Sequence, residues 1–241
     1  MPGAIWTSYQ WFCSGKEATC NLQPVTCNLQ PVTCPPASSD FGLRPSDFPL
    51  ARRAKGWHVA RMSQPEFKRF LQTTELAELG PNRRAGTESA EKLEEQLTPL
   101  LKAAGLGEEK QQLIRALILL WHDHLEAAHH LAQEIDNPDG AFVHGIMHRR
   151  EPDFGNAGYW FRRVGRHPAY ARLAERAHET LRPSSEPALA AKLIRGGQWD
   201  PFGFIDACEA AAARPATTQS LLKQVQRIEF EELLDSLLRA E

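Results

Sequence analysis

The sequence predicts an all-α fold, a compact multi-helix domain of stacked antiparallel helical hairpins. Three observations carry that expectation. From residue 62 onward apolar residues recur at three- and four-residue spacing, and no run alternates with period two. The breaks fall at stop, turn or capping residues such as Gly105, Asn137-Pro138 and Asp200-Pro201.

Taken in order, Ser63-Gln64-Pro65-Glu66 forms a capping box with proline in the first turn. Leu93, Leu97, Leu100 and Leu101 make an apolar stripe, with Pro99 as a kink and Gly105 as the stop. One long helical stretch is expected over residues 108–135, followed by a turn at Asn137-Pro138-Asp139-Gly140. Residues 141–151 read as a short helix and 152–155 as a loop. Asn156 is the expected cap of a helix reaching Val164. Pro168 opens a further helix that ends near Pro183, and residues 188–195 form another, stopped by Gly196-Gly197. Asp200 then caps a helix over 202–213, with Pro201 before it, and the last helix spans 218–239. No strand is expected.

Residues 1–61 behave differently. They hold seven of the 17 prolines and four of the five cysteines, and no helical period persists in them. Such a segment buries too little apolar surface to offset its ordering entropy. It is expected to be a disordered or non-native extension, with the native chain starting near Met62 and 62–241 forming a single all-helical domain. Cys13, Cys20, Cys27 and Cys34 stand seven apart, a spacing compatible with a metal or disulfide framework. Residues 19–25 and 26–32, however, are copies of one unit, so duplication of a short DNA segment explains the regularity equally well. Zinc sites bring ligands in close pairs, and this spacing has none. Cys208 sits among apolar residues and reads as a small core residue.

The 241 residues carry a net charge of −2. Residues 1–61 contain six of the basic and three of the acidic side chains, leaving 22 basic, 27 acidic and a charge of −5 for the rest. That balance argues against non-specific nucleic-acid binding. The longest apolar run, residues 116–121, is far short of the roughly 18 needed to span a bilayer. With no secretory-type N-terminus, a cytoplasmic location is expected.

Two helical hairpins look related. Gly145, Ala157, Phe161 and Pro168 resemble the tetratricopeptide pattern of a small residue, Ala-x3-Phe and a closing proline. Ala116, Ala128, Ala132 and Pro138 repeat it more weakly, without the aromatic position. Ala128 and Ala157 are 29 residues apart, against about 34 in that family. The resemblance covers about residues 110–168. It implies stacked hairpins, and a scaffold of that kind binds a peptide in a concave groove.

The chemistry-bearing residues lie inside these hairpins. At about 100° per residue, His144, His148 and Glu151 share one face of the 141–151 helix. Two imidazoles and a carboxylate on adjacent turns suit one divalent metal, Zn or Fe. In the preceding helix His122, Glu126 and His129 make a second stripe, able to meet the first if the helices pack antiparallel. The competing reading is a structural hydrogen-bonding network, and no His-Glu-x-x-His motif is present. His124 projects among apolar residues as a core histidine, whereas His130 and Asp123 project outward to solvent.

Arg149, Arg150, Arg162, Arg163 and Arg166 lie within 18 residues, interleaved with Tyr159, Trp160 and Phe161. Guanidinium forks grip phosphate or carboxylate, and aromatic faces stack rings. The alternative is internal pairing with Glu151 and Asp153, and Arg150 projects inward as one half of a buried ion pair.

The segment from His144 to Asp153, with His148-Arg149-Arg150-Glu151, continues through Asn156, Tyr159-Trp160, Arg162-Arg163 and His167-Pro168. It resembles the signature of a family of small helical proteins without an assigned activity. In that family a His-Asp and an Ala-His precede the signature, as His122-Asp123 and Ala128-His129 do here. Trp199-Asp200-Pro201 and Phe204-Ile205-Asp206 match further elements, so the resemblance spans about residues 113–234. It implies a helical fold and no particular reaction.

These patterns lead to two functional expectations. The first is a metal-dependent hydrolase or lyase acting on a small anionic substrate. His144, His148 and Glu151 would hold the metal, His129, Glu151 and Asp153 would serve catalysis, and Arg149, Arg162, Tyr159 and Trp160 would bind substrate. The second is a tetratricopeptide-like scaffold for a peptide partner, with the polar residues fixing helix register. Binding of nucleic acid through the arginine–aromatic cluster is disfavoured by the acidic balance.

Overall fold

In the computed structural model residues 65–184 and 186–239 are described, all within a unit spanning Pro49–Glu241. The expectations for residues 1–61, the four spaced cysteines and the capping serine therefore lie outside the described residues. Helix dominates, as the apolar spacing requires. None of the described helices is long and apolar enough to cross a membrane.

Residues 65–68 are helical and run into a 3-10 turn at Arg69–Leu71, which buries Phe70 and Leu71. Helix α1, Ala90–Ala104, starts at Ser89, whose hydroxyl accepts from the Lys92 N–H, and stops at Gly105 with φ 64°. Leu93, Leu97 and Leu101 are its buried stripe. Helix α2, Glu108–Trp121, buries eight consecutive or near-consecutive residues from Leu113 to Trp121.

The expected single helix over 108–135 is in fact two, because the chain breaks at Asp123 and resumes as α3, Leu125–Ala132. Asp123 has φ 67°, a left-handed conformation that costs a non-glycine residue energy unless its surroundings enforce it. The enforcement is ionic. Arg84 donates to Asp123 Oδ2 from Nε at 2.8 Å and from its own backbone N–H at 3.0 Å. Arg150 donates to Oδ1 at 2.7 Å. Asp123 is thus buried between two guanidinium groups, not solvated as its helical projection implied. The same arginines donate to the carbonyls at the end of α2: Arg84 to that of Trp121, and Arg150 to that of Leu120, which also accepts from the Asp123 N–H.

Helix α4, Pro138–Arg150, begins where a turn was expected. The Asn137 side chain accepts from the Gly140 N–H at 2.8 Å, and Pro138 takes the first helical position. Helix α5, Phe154–Val164, is capped by Asp153, not by Asn156; Asp153 Oδ1 accepts from the Asn156 N–H at 3.1 Å. The α4–α5 pair packs closely because Gly145 lies against the Phe161 ring, where an added Cβ would stand 2.6 Å from the ring. Helix α6, Ala169–Leu181, follows Pro168.

Helix α7, Pro187–Leu193, leads into a feature the sequence did not predict. Strands β1, Ile194–Arg195, and β2, Gln198–Trp199, pair antiparallel around Gly196 and Gly197, whose φ values are 58° and 77°. Two positive φ angles fit a tight hairpin turn, which two glycines adopt without strain. Asp200 then caps α8, Pro201–Glu209, and after a 3-10 turn at Ala211–Ala213 the chain ends in α9, Ala216–Leu237.

Helix α4 is the centre of this arrangement. Every residue from Gly140 to Arg150 is buried, so it is enclosed on all sides rather than amphipathic. The polar residues it carries must therefore find partners inside the protein.

Candidate functional site

Three imidazoles meet beside α4. His144 and His148 lie one turn apart on α4, and the α3 residue His129 approaches both. Ring centroids are separated by 5.4 Å for His129–His144, 5.8 Å for His129–His148 and 6.2 Å for His144–His148. The two histidine stripes read from the sequence thus meet through His129 and not through His122.

Partners of each ring set its proton positions. His144 Nδ1 lies 3.1 Å from the Gly140 carbonyl oxygen, so Nδ1 carries the hydrogen and Nε2 keeps a lone pair. His148 Nδ1 lies 3.3 Å from a Glu151 carboxylate oxygen, which fixes the same tautomer. The side-chain amide nitrogen of Asn156 stands 3.2 Å from His148 Nε2. Burial lowers the pKa of both residues from 6.5, and neighbouring histidines add to the decrease. Glu151 pulls His148 the other way without reversing the shift. The shift favours the neutral form of both rings, and His129 completes the cluster with ring contacts alone among the described residues.

An aromatic and cationic cover lies on this cluster. The Trp160 ring stacks on His144 at 4.1 Å between centroids and 13° between planes. Arg163 lies over the Trp160 ring at 5.3 Å, donates to the Tyr159 hydroxyl at 3.1 Å, and pairs with Asp136. Tyr159 itself is 45% exposed and meets Trp160 edge-on.

Other expected site residues are placed elsewhere. Arg149 is fully buried and donates both terminal nitrogens to Glu229, one at 2.9 Å, with its guanidinium 4.3 Å over the Phe204 ring. Gln226 holds the same group at 3.5 Å and is itself tied to the Ala77 and Glu78 carbonyls. That arginine faces the interior, so it does not reach a ligand at the histidines. Cys208 lies in the same buried environment, its thiol pushed up to about 12 by desolvation. Arg162 is exposed and has no partner among the described residues. Asp153 is exposed and engaged as the α5 cap.

His122, His124 and His167 serve structural hydrogen bonds. His122 accepts from the Glu88 N–H at Nδ1 and donates from Nε2 to the Phe70 carbonyl at 2.9 Å. His124 is half-buried and bonds the Glu88 carbonyl at 2.8 Å. His167 accepts from the Ala169 N–H and donates to Asp139 at 2.7 Å, tying the start of α6 to the first turn of α4. His130 is exposed.

Residues the sequence did not single out are Arg84, Gln226 and Glu229, while Asn156 was expected only as a helix cap and a signature position. Glu229 had a readable signal: it falls with Gln226 on the apolar face of α9 among Leu222, Val225 and Leu233. Arg84 had none, because it lies in an irregular segment.

Among the described residues no group of three or more His, Cys, Asp or Glu side chains stands ready to hold a metal ion as placed. No known family profile, curated protein or solved structure matches the chain.

Proposed function

We propose that His129, His144 and His148 hold one divalent transition-metal ion, zinc or iron, and that the protein uses it in hydrolysis or lyase chemistry on a small anionic substrate. The observation that carries this reading is the mutual approach of the three rings. At a metal–nitrogen distance of about 2.0 Å, tetrahedrally placed imidazoles have centroids roughly 5 Å apart. The spacings of 5.4, 5.8 and 6.2 Å lie close to that value, and side-chain rotation would aim the three nitrogens at one point.

The surroundings support it. His144 keeps Nε2 without a hydrogen-bond partner among the described residues, an ion would displace the Asn156 amide from His148 Nε2, and Glu151 stands behind His148 as the carboxylate that orients and polarises a ligating histidine. A bound ion would supply an acidified water and a Lewis acid for a carbonyl or phosphoryl oxygen. Arg163, over Trp160 and Tyr159, takes the place of Arg149 as the cation beside the cluster, its charge acting on His144. Its ion pair with the exposed Asp136 is of a kind worth little in water, so a substrate anion can displace it. A cytoplasmic setting accords with the free Cys208.

The test is loading of the full chain with Co2+. The proposal expects one equivalent with ligand-field bands and no thiolate charge-transfer band, and loss of those bands in His129→Ala and His148→Ala. A thiolate band retained in both variants would place the ion on cysteine and overturn it.

A second reading, a protein-interaction scaffold of tetratricopeptide-like hairpins, is favoured by one observation. The close fit of Gly145 against Phe161 occupies the small-residue and aromatic positions of that repeat. Under this reading the histidines only fix helix register, and Co2+ leaves the protein unchanged.

A further inference from the structure

A cavity of about 160 Å³ lies away from the histidines, where α7, α8 and α9 meet. We infer that it binds a small apolar α-amino acid in its zwitterionic form. Its size is well below the roughly 300 Å³ of a pocket for a drug-sized molecule, which restricts the ligand to about ten non-hydrogen atoms.

The lining has three chemical parts. Leu189 and Ala207 are buried, as is Leu222, and together they offer an apolar wall to an aliphatic side chain. Glu186 and Thr218 provide the acceptors. Thr218 is 3% exposed and donates its hydroxyl to Glu186 Oε1 at 2.6 Å. That bond leaves Glu186 Oε2 and the lone pairs of the threonine oxygen for an ammonium group. Arg214 and Lys192 provide the cations. The Arg214 guanidinium has no hydrogen-bond or ion-pair partner among the described residues, and its fork suits a carboxylate. Lys192 is 3.3 Å from Asp206 in a largely exposed pair, which a ligand carboxylate can replace.

One negative group, two positive groups and an apolar wall in one small cavity match the three groups of an amino acid. A simple fatty acid would leave Glu186 facing its hydrocarbon, and a simple amine would leave Arg214 unanswered. The Glu186–Thr218 bond also joins the start of α7 to the first turn of α9, so the acceptor pair is held in place before any ligand arrives.

The experiment is calorimetric titration of the full chain with L-leucine, 4-methylpentanoate and 3-methylbutylamine. Leucine should bind with Kd of about 1 mM or tighter, and the two analogues, each lacking one charged group, at least about tenfold more weakly. Glu186→Gln keeps an acceptor for Thr218, so the fold is retained, and it should weaken leucine binding about tenfold or more. Arg214→Gln changes an exposed side chain and should do the same. Equal binding of leucine and either analogue, leucine binding unchanged in both variants, or no heat with leucine would overturn the inference. None of these outcomes depends on whether the histidines hold a metal.

Discussion

His148 and Arg149 are adjacent in sequence on the last turn of α4, and both are buried, yet they meet opposite fates. Arg149 is locked to Glu229, Gln226 and the Phe204 face, and Arg150 to Asp123 and the end of α2. His144 and His148 each spend Nδ1 on a local acceptor; Nε2 of His148 faces the Asn156 amide nitrogen at 3.2 Å, and that of His144 has no hydrogen-bond partner among the described residues. Buried charge pairing marks the arginine side of the helix as structural, each guanidinium meeting a buried carboxylate although its Nε has no hydrogen-bond partner among the described residues. On the histidine side the rings face one another without a buried carboxylate among the described residues, which suits a ligand-binding centre. One helix thus carries the anchor and the candidate site, and the anchor fixes where the imidazoles stand.

The sharpest break of that comparison is at the anchor. Glu229→Ala leaves the Arg149 charge buried without its partner, and the expected loss is about 3–5 kcal/mol in urea unfolding. A loss below about 1 kcal/mol would mean that the pair does not anchor α4. Gly145→Ala comes next, because its Cβ meets Phe161 at 2.6 Å; about 1–3 kcal/mol of destabilisation is expected.

Acid should act on the same side of the molecule. His122 is held neutral by burial and by the nearby Arg84 and His124, against the opposing pull of Glu88 and the Phe70 carbonyl, so its folded pKa lies below 6.5. The unfolded chain therefore takes up more protons as pH falls through 6.5, and stability declines until pH passes below the folded value. His144 and His148 shift in the same direction and add to the decline. Urea midpoints measured between neutral pH and mildly acidic pH check this, and a constant midpoint would contradict it. The smallest effect is expected from Arg163→Gln. Its exposed pair with Asp136 should change stability by less than about 0.5 kcal/mol while weakening binding of an anion to the metal-loaded protein.

Much of the fold was legible in the sequence, since caps and apolar spacing marked the helices within a few residues. The exceptions have physical causes. The break at Asp123 depends on Arg84 and Arg150, which approach from 39 and 27 residues away, and helical periodicity is blind to such a constraint. Asn137-Pro138 belongs equally to turns and to helix starts, and the structure uses it as a start. The β1–β2 hairpin is two residues per strand, too short for a period to register. For the site, His129, His144 and His148 were identified by helical face alone. Arg149 was misplaced toward the ligand because its partner lies 80 residues downstream on α9.

The most direct test of the contrast between the two sides of α4 is the melting temperature of the full chain with and without Zn2+. An ion held by the folded histidines at about 100 times its Kd should add about 2.7 kcal/mol and raise the melting temperature. The account predicts that rise in the unaltered chain and in Arg163→Gln, and its absence in His129→Ala. An equal rise in His129→Ala, or none in the unaltered chain, would contradict it.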